Sequence, residues 1–242
     1  MAEYTERIYR KRVRAAGLVS FKVAVKETDL WVSADRDLER ETRDLIVCYR
    51  RQLESYIQGR PEFLTALDPL PPDPCAPALV QEMLEVTRPL GVGPMASVAG
   101  SLAQWVGRDL LARTGQVIVE NGGDIYLSVN RSVTVSLFAG RSPLSERVGL
   151  VIRRGQMPLG VCSSSGTVGH SMSGGAADAV CVLARSAALA DGAATSLCNR
   201  MKKKGDLERV ASEARDMGGV LGVVAIMGHR MVTWGEVELA AL

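Results

Sequence analysis

The apolar positions of the first sixty residues change from a strand-like pattern to a helical one. Alternating or β-rich segments predict an antiparallel meander from residues 4–14, 18–26 and 30–33. Apolar side chains then recur at helical spacing, which predicts a helix over about 36–58. Five prolines in 68–77 predict an extended connector after this helix.

The rest of the chain alternates between the two patterns without a regular strand–helix–strand repeat. We predict helices over about 78–88, 95–113, 187–201 and 206–217. We predict strands over about 116–120, 125–129, 132–139, 148–152, 158–162, 177–184, 220–227 and 231–234. Strands and helices interspersed in this way are typical of an α+β protein, which is the fold class that we predict.

The composition is that of an ordinary globular protein. Of the 242 residues, 47% are hydrophobic and 23% are charged, and the formal net charge of +2 gives no reason to expect a nucleic acid as partner. The aromatic content of 5% is also low for a protein that stacks on bases. The sequence contains no apolar leader and no run of about 18 apolar residues, so we expect neither export nor a membrane partner.

The cysteines and histidines indicate the redox environment of the protein and whether a zinc site is expected. Five widely spaced cysteines form no CxxC pair, which is typical of reduced thiols in a cytoplasmic protein. Because the chain has only two histidines, we expect no zinc site. Our expected location is therefore the cytoplasm.

The segment Gly155–Asn199 differs from the rest of the chain in its charge. It carries only three charged side chains in 45 residues and is rich in glycine, serine and alanine. Hydroxyl groups and bare backbone amides suit an anionic or metal-bound ligand that the backbone approaches closely. A tightly packed core of small residues is the alternative interpretation.

Within this segment, Asp191 and Thr195 are four residues apart in a predicted helix. This spacing places them on one face, one turn apart, where a carboxylate and a hydroxyl can both bind Mg²⁺ if phosphates and waters complete the octahedron. A buried Asp bonded to nearby backbone, with Thr195 bonded back to its own helix, explains the same spacing. Spacing alone favours that structural alternative.

Two further groups could contact a ligand. Gly122 and Gly123 lie between two strand-like runs, where paired glycines permit positive φ and expose amides, although an ordinary tight turn is favoured by the local sequence. His170 is the only histidine of the Ser/Gly-rich loop and could act as a general base or a phosphate contact. A solvent-facing loop histidine is an equally good interpretation.

In their order along the chain, these elements resemble the ApbE superfamily, the Mg²⁺-dependent FAD:protein FMN transferases. The matching segments are GPMASVAGSLAQWVGRDLL, VIVENGGDIYLSV, VCSSSG at Val161–Gly166, the loop with His170, and the helix with Asp191 and Thr195. The resemblance runs from about Gly93 to Asn199.

The resemblance implies one α+β domain over 1–242, related to the T-fold, with antiparallel sheets and packed helices. We divide it into a meander and helix over 1–60, the connector over 68–77 and a core over 93–242. The resemblance implies a flavin nucleotide such as FAD as ligand, with Mg²⁺ held by Asp191 and Thr195. It implies His170 as the catalytic residue. The implied nucleotide contacts are Gly122, Gly123, Asp124, Ser164, Ser165, Gly166 and Thr167.

The chain also departs from the family pattern. The family's lysine falls near Ala99, and the family's HxxDPxTG run is replaced after His170 by SMSGGAAD. With no export signal expected, the chain looks like a short cytoplasmic branch of the superfamily.

Two hypotheses follow. One is a Mg²⁺-dependent transferase or hydrolase acting on a flavin nucleotide or a related diphosphate. The other is a non-catalytic flavin-binding or assembly protein, for which the resemblance suggests anaerobic sulfur or one-carbon metabolism. In both, the expected partner is a small-molecule nucleotide, with neither nucleic acid nor membrane. An acceptor protein and a homo-oligomer stay open.

Overall fold

The computed structural model of the protein describes residues 17–167 and 175–242. The strands in these ranges are β1 Val19–Val25, β2 Thr28–Ala34, β3 Val117–Asn121, β4 Asp124–Ser128, β5 Val133–Ser136, β6 Val148–Ile152, β7 Leu159–Ser164, β8 Ala179–Ala184, β9 Val220–Met227, β10 Arg230–Gly235 and β11 Leu239–Ala241. The helices are α1 Glu39–Gly59, α2 Glu62–Thr65, α3 Ala78–Thr87, α4 Val98–Leu110, α5 Ala187–Arg200 and α6 Leu207–Asp216.

The strands form two sheets. The larger has eight strands in the order β1-β2-β3-β4-β7-β8-β9-β10, with neighbours antiparallel, and the smaller has the order β11-β6-β5. Strands β5 and β6 therefore leave the large sheet between β4 and β7, and those two strands pair directly. This pairing places the start of β4 beside the end of β7.

The two faces of the large sheet are buried by different partners. Val119, Tyr126 and Val182 belong to the hydrophobic core that the sheet forms with the helices. Their neighbours along the strands point the other way, and Ile118 and Leu183 pack with the small sheet. The molecule thus has a helical layer, a central sheet and a second sheet, with the core on both sides of the central one.

The predicted α+β class is confirmed, with helices and antiparallel sheets in a single domain. The helix predicted over 95–113 begins differently: Pro94–Ser97 forms a 3₁₀ turn and α4 starts only at Val98. Helix α2 and strand β11 were not predicted from the sequence, and they are only four and three residues long. The predicted strand over 4–14 lies outside the described residues. Among those described, none of the helices combines the length and the apolar character needed to cross a bilayer.

Candidate functional site

Two glycines allow α5 to lie very close to its neighbours. A Cβ atom at Gly160 of β7 would overlap the Cα of Ala187, the first residue of α5. A Cβ at Gly100 of α4 would overlap the carbonyl oxygen of Ala187 and would lie 2.8 Å from the Cβ of Asp191. Because neither glycine can gain a side chain without moving α5, the pair sets the depth at which Asp191 lies.

Asp191 is buried at this contact and interacts with α4. The residue is only 8% exposed, and its Oδ2 accepts a hydrogen bond from the backbone N–H of Gly100 at 2.8 Å. Gly100 is the third residue of α4, so its amide belongs to the first turn, which has no acceptor within the helix. Asp191 therefore caps α4 from a neighbouring helix, where the positive end of the helix dipole favours a negative charge.

The glycine pair after β3 forms a tight turn that positions a second carboxylate. Gly122 and Gly123 have φ of +68° and +110°, and Asn121 pairs with Asp124 across the turn. Asp124 is 8% exposed, and its Oδ1 accepts a hydrogen bond from the backbone N–H of Ser163 at 3.2 Å. The tight-turn interpretation thus describes the local backbone correctly, and the turn places Asp124 against β7.

The turn is also tied to α4. The side-chain amide of Asn121 donates to the backbone carbonyl of Ala99 at 3.2 Å. The next residue in α4, Gly100, donates its amide to Asp191. The turn and α5 therefore both form hydrogen bonds with the first turn of α4.

The two carboxyl groups influence each other electrostatically. Burial raises the pKa of Asp124 to about 7, against the opposing effect of the hydrogen bond from Ser163. Burial and, next, the charge of Asp124 raise the pKa of Asp191 well above its usual range. Within the described residues, neither carboxyl group forms an ion pair with a cationic side chain. Ionising both is therefore unfavourable unless a cation from outside these residues is present.

A hydroxyl group without a partner lies on the strand face that meets α5. Cys162 and Ser164 share this face of β7, and the Cys162 thiol donates to the carbonyl of Ala187 at 3.3 Å. Ser164 is 5% exposed, and its Oγ has no hydrogen-bond partner in the part of the chain that is described. A buried hydroxyl in this state is free to bind a ligand.

The first arm of the Ser/Gly loop is held by backbone and side-chain hydrogen bonds. The N–H of Gly166 donates to the carbonyl of Ala177 at 2.9 Å, and the hydroxyl of Thr167 donates to Asp178 at 3.3 Å. Ser165 accepts from the N–H of Thr167 at 3.1 Å. The described residues on both sides of the loop therefore meet at its base. His170 lies outside the described residues.

The second arm of the loop rests on the C-terminal half of α5. A Cβ at Gly175 would overlap the backbone carbonyl of Cys198. Thr195 lies on the same helix, one turn after Asp191, and is half-buried. In the described residues its hydroxyl has no hydrogen-bond partner, so the expected back-bond to its own helix is not seen. Thr195 is thus placed on the stretch of α5 between Asp191 and the loop base.

Three residues that build this site were not predicted as site residues from the sequence. They are Gly100 and Gly160, which admit α5, and Asn121, whose side chain anchors the turn. Only Gly100 gave a signal, as a glycine inside a predicted helix, where glycine is unfavourable by about 1 kcal/mol relative to alanine unless packing requires it. In the described ranges, no group of three His, Cys, Asp or Glu side chains could hold a metal by itself.

Solved structures share this architecture. The apo form of the flavinyl transferase ApbE of Pseudomonas stutzeri has a TM-score of 0.54, at 16% identity, over 93% of this chain and 95% of that chain. The ApbE protein of Thermotoga maritima has a TM-score of 0.57, at 12% identity, over 89% of this chain and 96% of that chain. The fold is therefore that of the ApbE flavin transferases.

Sequence relationships give the family. The family model described as AbpE bacteria matches residues 10–235, and the chain belongs to this family. The UPF0280 protein of Methanococcus aeolicus is 37% identical over 226 residues, which cover 91% of each chain. That of Methanocaldococcus jannaschii is also 37% identical and covers 84% of this chain and 86% of its own. The predicted resemblance to the ApbE superfamily is confirmed.

Proposed function

We propose that this protein binds a flavin nucleotide together with Mg²⁺ where α5 meets α4, β4 and β7, and that it acts as a Mg²⁺-dependent transferase of the FAD:protein FMN type. The observation that carries this proposal is the pair of buried carboxyl groups, Asp124 and Asp191, which repel each other and have no cationic partner among the described residues. A divalent cation would allow both to ionise, and the unpartnered hydroxyl of Ser164 lies on the adjoining strand.

The donor atoms available fit Mg²⁺. This ion prefers oxygen ligands in an octahedron and retains waters, so it is usually held by one or two carboxylates and by substrate phosphates. Asp191 and Thr195 would supply a carboxylate and a hydroxyl oxygen from one face of α5, and a diphosphate would supply the next ligands. When bound, Mg²⁺ would neutralise the diphosphate and stabilise the leaving group.

The remaining residues would hold the nucleotide. A Cβ at Gly123 would meet no atom within 4 Å, so the space beside this turn is open to a ligand. Gly122 and Gly123 would present backbone amides there, and Asp124 would accept a hydrogen bond from a sugar or ring group. On the neighbouring side, the end of β7 and the residues that follow it would bind phosphate. The groups involved would be the hydroxyls of Ser164, Ser165 and Thr167 and the backbone of Gly166.

The transfer requires one bond to form and one to break. A hydroxyl oxygen of the acceptor would bond to the phosphorus on the riboflavin side of the diphosphate, the bridging P–O bond would break, and AMP would leave. The proton of the acceptor hydroxyl would pass to His170 in this proposal. With water as the acceptor, the same step is hydrolysis to FMN and AMP.

One residue, Ala99, favours a second function, which is flavin binding without catalysis. Ala99 stands near the place of the family's lysine, and its backbone carbonyl is engaged by Asn121. A protein of this kind would retain the nucleotide and serve as a carrier or assembly partner. A role in anaerobic sulfur or one-carbon metabolism belongs to this second function. A cytoplasmic location is part of both versions and is in keeping with five widely spaced cysteines that form no CxxC pair.

The experiment is incubation of the protein with FAD, with and without Mg²⁺, followed by measurement of bound flavin, AMP and FMN. Mg²⁺-dependent AMP release supports the transferase, and tight FAD binding without AMP supports the binding protein. Asp191→Asn should abolish the Mg²⁺ dependence, whereas Asp216→Asn, an exposed acid on α6, is the matched control and should not. Absence of FAD binding by the wild type in both conditions would overturn the proposal.

A further inference from the structure

One carboxylate joins three helices at the beginning of α5. Glu82 of α3 accepts a hydrogen bond from the side-chain amide of Gln104 at 2.6 Å and from the indole N–H of Trp105, also at 2.6 Å. The hydroxyl of Ser186 donates to the same carboxylate at 3.2 Å. Gln104 and Trp105 belong to α4, and Ser186 is the residue that caps α5.

Two of these donors also satisfy the first amides of α5. The Oε1 of Gln104 accepts from the N–H of Ala187 at 2.7 Å, and the hydroxyl of Ser186 accepts from the N–H of Leu189 at 3.2 Å. The first amides of a helix have no acceptor within it, so these two bonds fix where α5 begins.

Glu82 sets the direction of both bonds. An ionised carboxylate only accepts hydrogen bonds, so the NH₂ group of Gln104 must face it, and the Oε1 of Gln104 must face Ala187. For the same reason the proton of Ser186 points to Glu82, which leaves an oxygen lone pair for the amide of Leu189. A change at Glu82 therefore reaches α5 through two residues at once.

We propose that Glu82 is a positioning residue for Asp191. Ala187 lies one turn before Asp191, and it is held between Gly100, Gly160 and the thiol of Cys162. A displacement of the first turn of α5 would move Asp191 relative to the Gly100 amide that it accepts. The role of this positioning in nucleotide binding rests on the proposed function, whereas the positioning itself does not.

Glu82→Gln is the direct test because it keeps the volume and removes one acceptor. A glutamine offers a single acceptor oxygen and turns its NH₂ group toward donors, so it cannot serve Gln104, Trp105 and Ser186 together. Glu85→Gln is the matched control, since it makes the same chemical change at an exposed position one turn along α3.

The first readout needs no ligand. Hydrogen exchange of the Gly100 amide reports directly on its bond to Asp191, and we expect Glu82→Gln to accelerate it at least about tenfold while α6 stays as protected as in the wild type. Glu85→Gln should leave it unchanged. Wild-type protection of Gly100 in folded Glu82→Gln would overturn the proposal.

The second readout separates this inference from the proposed function. Calorimetry with FAD, with and without Mg²⁺, should show that Glu82→Gln loses most of the Mg²⁺-dependent gain in affinity, while a purely structural role would lower the thermal midpoint and leave that gain intact. If the wild type shows no such gain, the metal role in the proposed function fails, and the exchange experiment still decides the role of Glu82. If Glu82→Gln does not fold, Ser186→Ala takes its place, and unchanged Gly100 exchange in that variant would overturn the inference.

Discussion

The carboxylate of Asp191 accepts the backbone N–H of Gly100 across the contact between α5 and α4. The residue proposed to bind the metal is thus also the cap of a helix, and the two roles use the same group. An asparagine can keep the cap through its Oδ1, whereas it cannot supply the charge. Substitutions can therefore separate the two roles.

Asp191→Asn should leave the fold intact and remove the coupling between metal and nucleotide. In the wild type, FAD should bind about tenfold or more tightly with Mg²⁺ present, because each ligand favours the other. In the variant the two FAD affinities should be equal, and the thermal midpoint should not fall, since repulsion with Asp124 is relieved. Calorimetric titrations check the affinities, and equal affinities in all four conditions would remove the metal role.

Gly100→Ala and Gly160→Ala should each destabilise the protein by about 1–3 kcal/mol, the usual cost of inserting a methyl group into a packed contact. In both, the new Cβ would overlap backbone atoms of Ala187, which cannot move without α5. Gly155→Ala is the control, because a Cβ there meets nothing within 4 Å. Denaturant unfolding measures the three variants, and equal midpoints for all of them would contradict the close packing described.

Asp124→Asn should change the pH dependence of stability. The pKa of Asp124 is about 7 in the folded protein, against an ordinary 3.8, so the folded state holds its proton where the unfolded state has lost it. Its favourable contribution is complete below about pH 4 and is lost as the pH rises to about 7, by at most about 1.4 kcal/mol per pH unit.

The measurement is the free energy of unfolding of wild type and Asp124→Asn between pH 4 and 8. The wild type should lose stability relative to the variant as the pH rises through this window, and the difference should level off above about pH 7. Asp216→Asn, at an exposed site, should run parallel to the wild type. A constant difference between wild type and Asp124→Asn would show that the carboxyl group titrates normally.

Ser164→Ala should weaken nucleotide binding without destabilising the folded protein. The hydroxyl has no partner among the described residues, so its removal breaks no bond there and relieves the cost of burying it. Ser136→Ala is the control, because its Oγ is also buried and without a partner but lies in the small sheet. Thermal unfolding and FAD titration measure both, and a clear loss of stability in Ser164→Ala alone would contradict the prediction.

The features that could be predicted from the sequence are those that depend on residues close together along the chain. The glycine turn, the helix that carries Asp191 and Thr195, and most strands were visible because their signals lie within a few positions of one another. The cap of α4 by Asp191 was not visible, since its two partners are 91 residues apart. For the same reason, neither the pairing of β4 with β7 nor the departure of β5 and β6 into a second sheet follows from local patterns.

That separation has a consequence for synthesis and folding. The contact between Gly100 and Asp191 spans 91 residues, so the six intervening strands must find their places before the amide and the carboxylate can meet. Contacts of such long range form slowly because the chain must first lose much of its freedom. A nascent chain on the ribosome therefore carries no assembled site until α5 has been made, and a ligand of that site could stabilise only the finished protein.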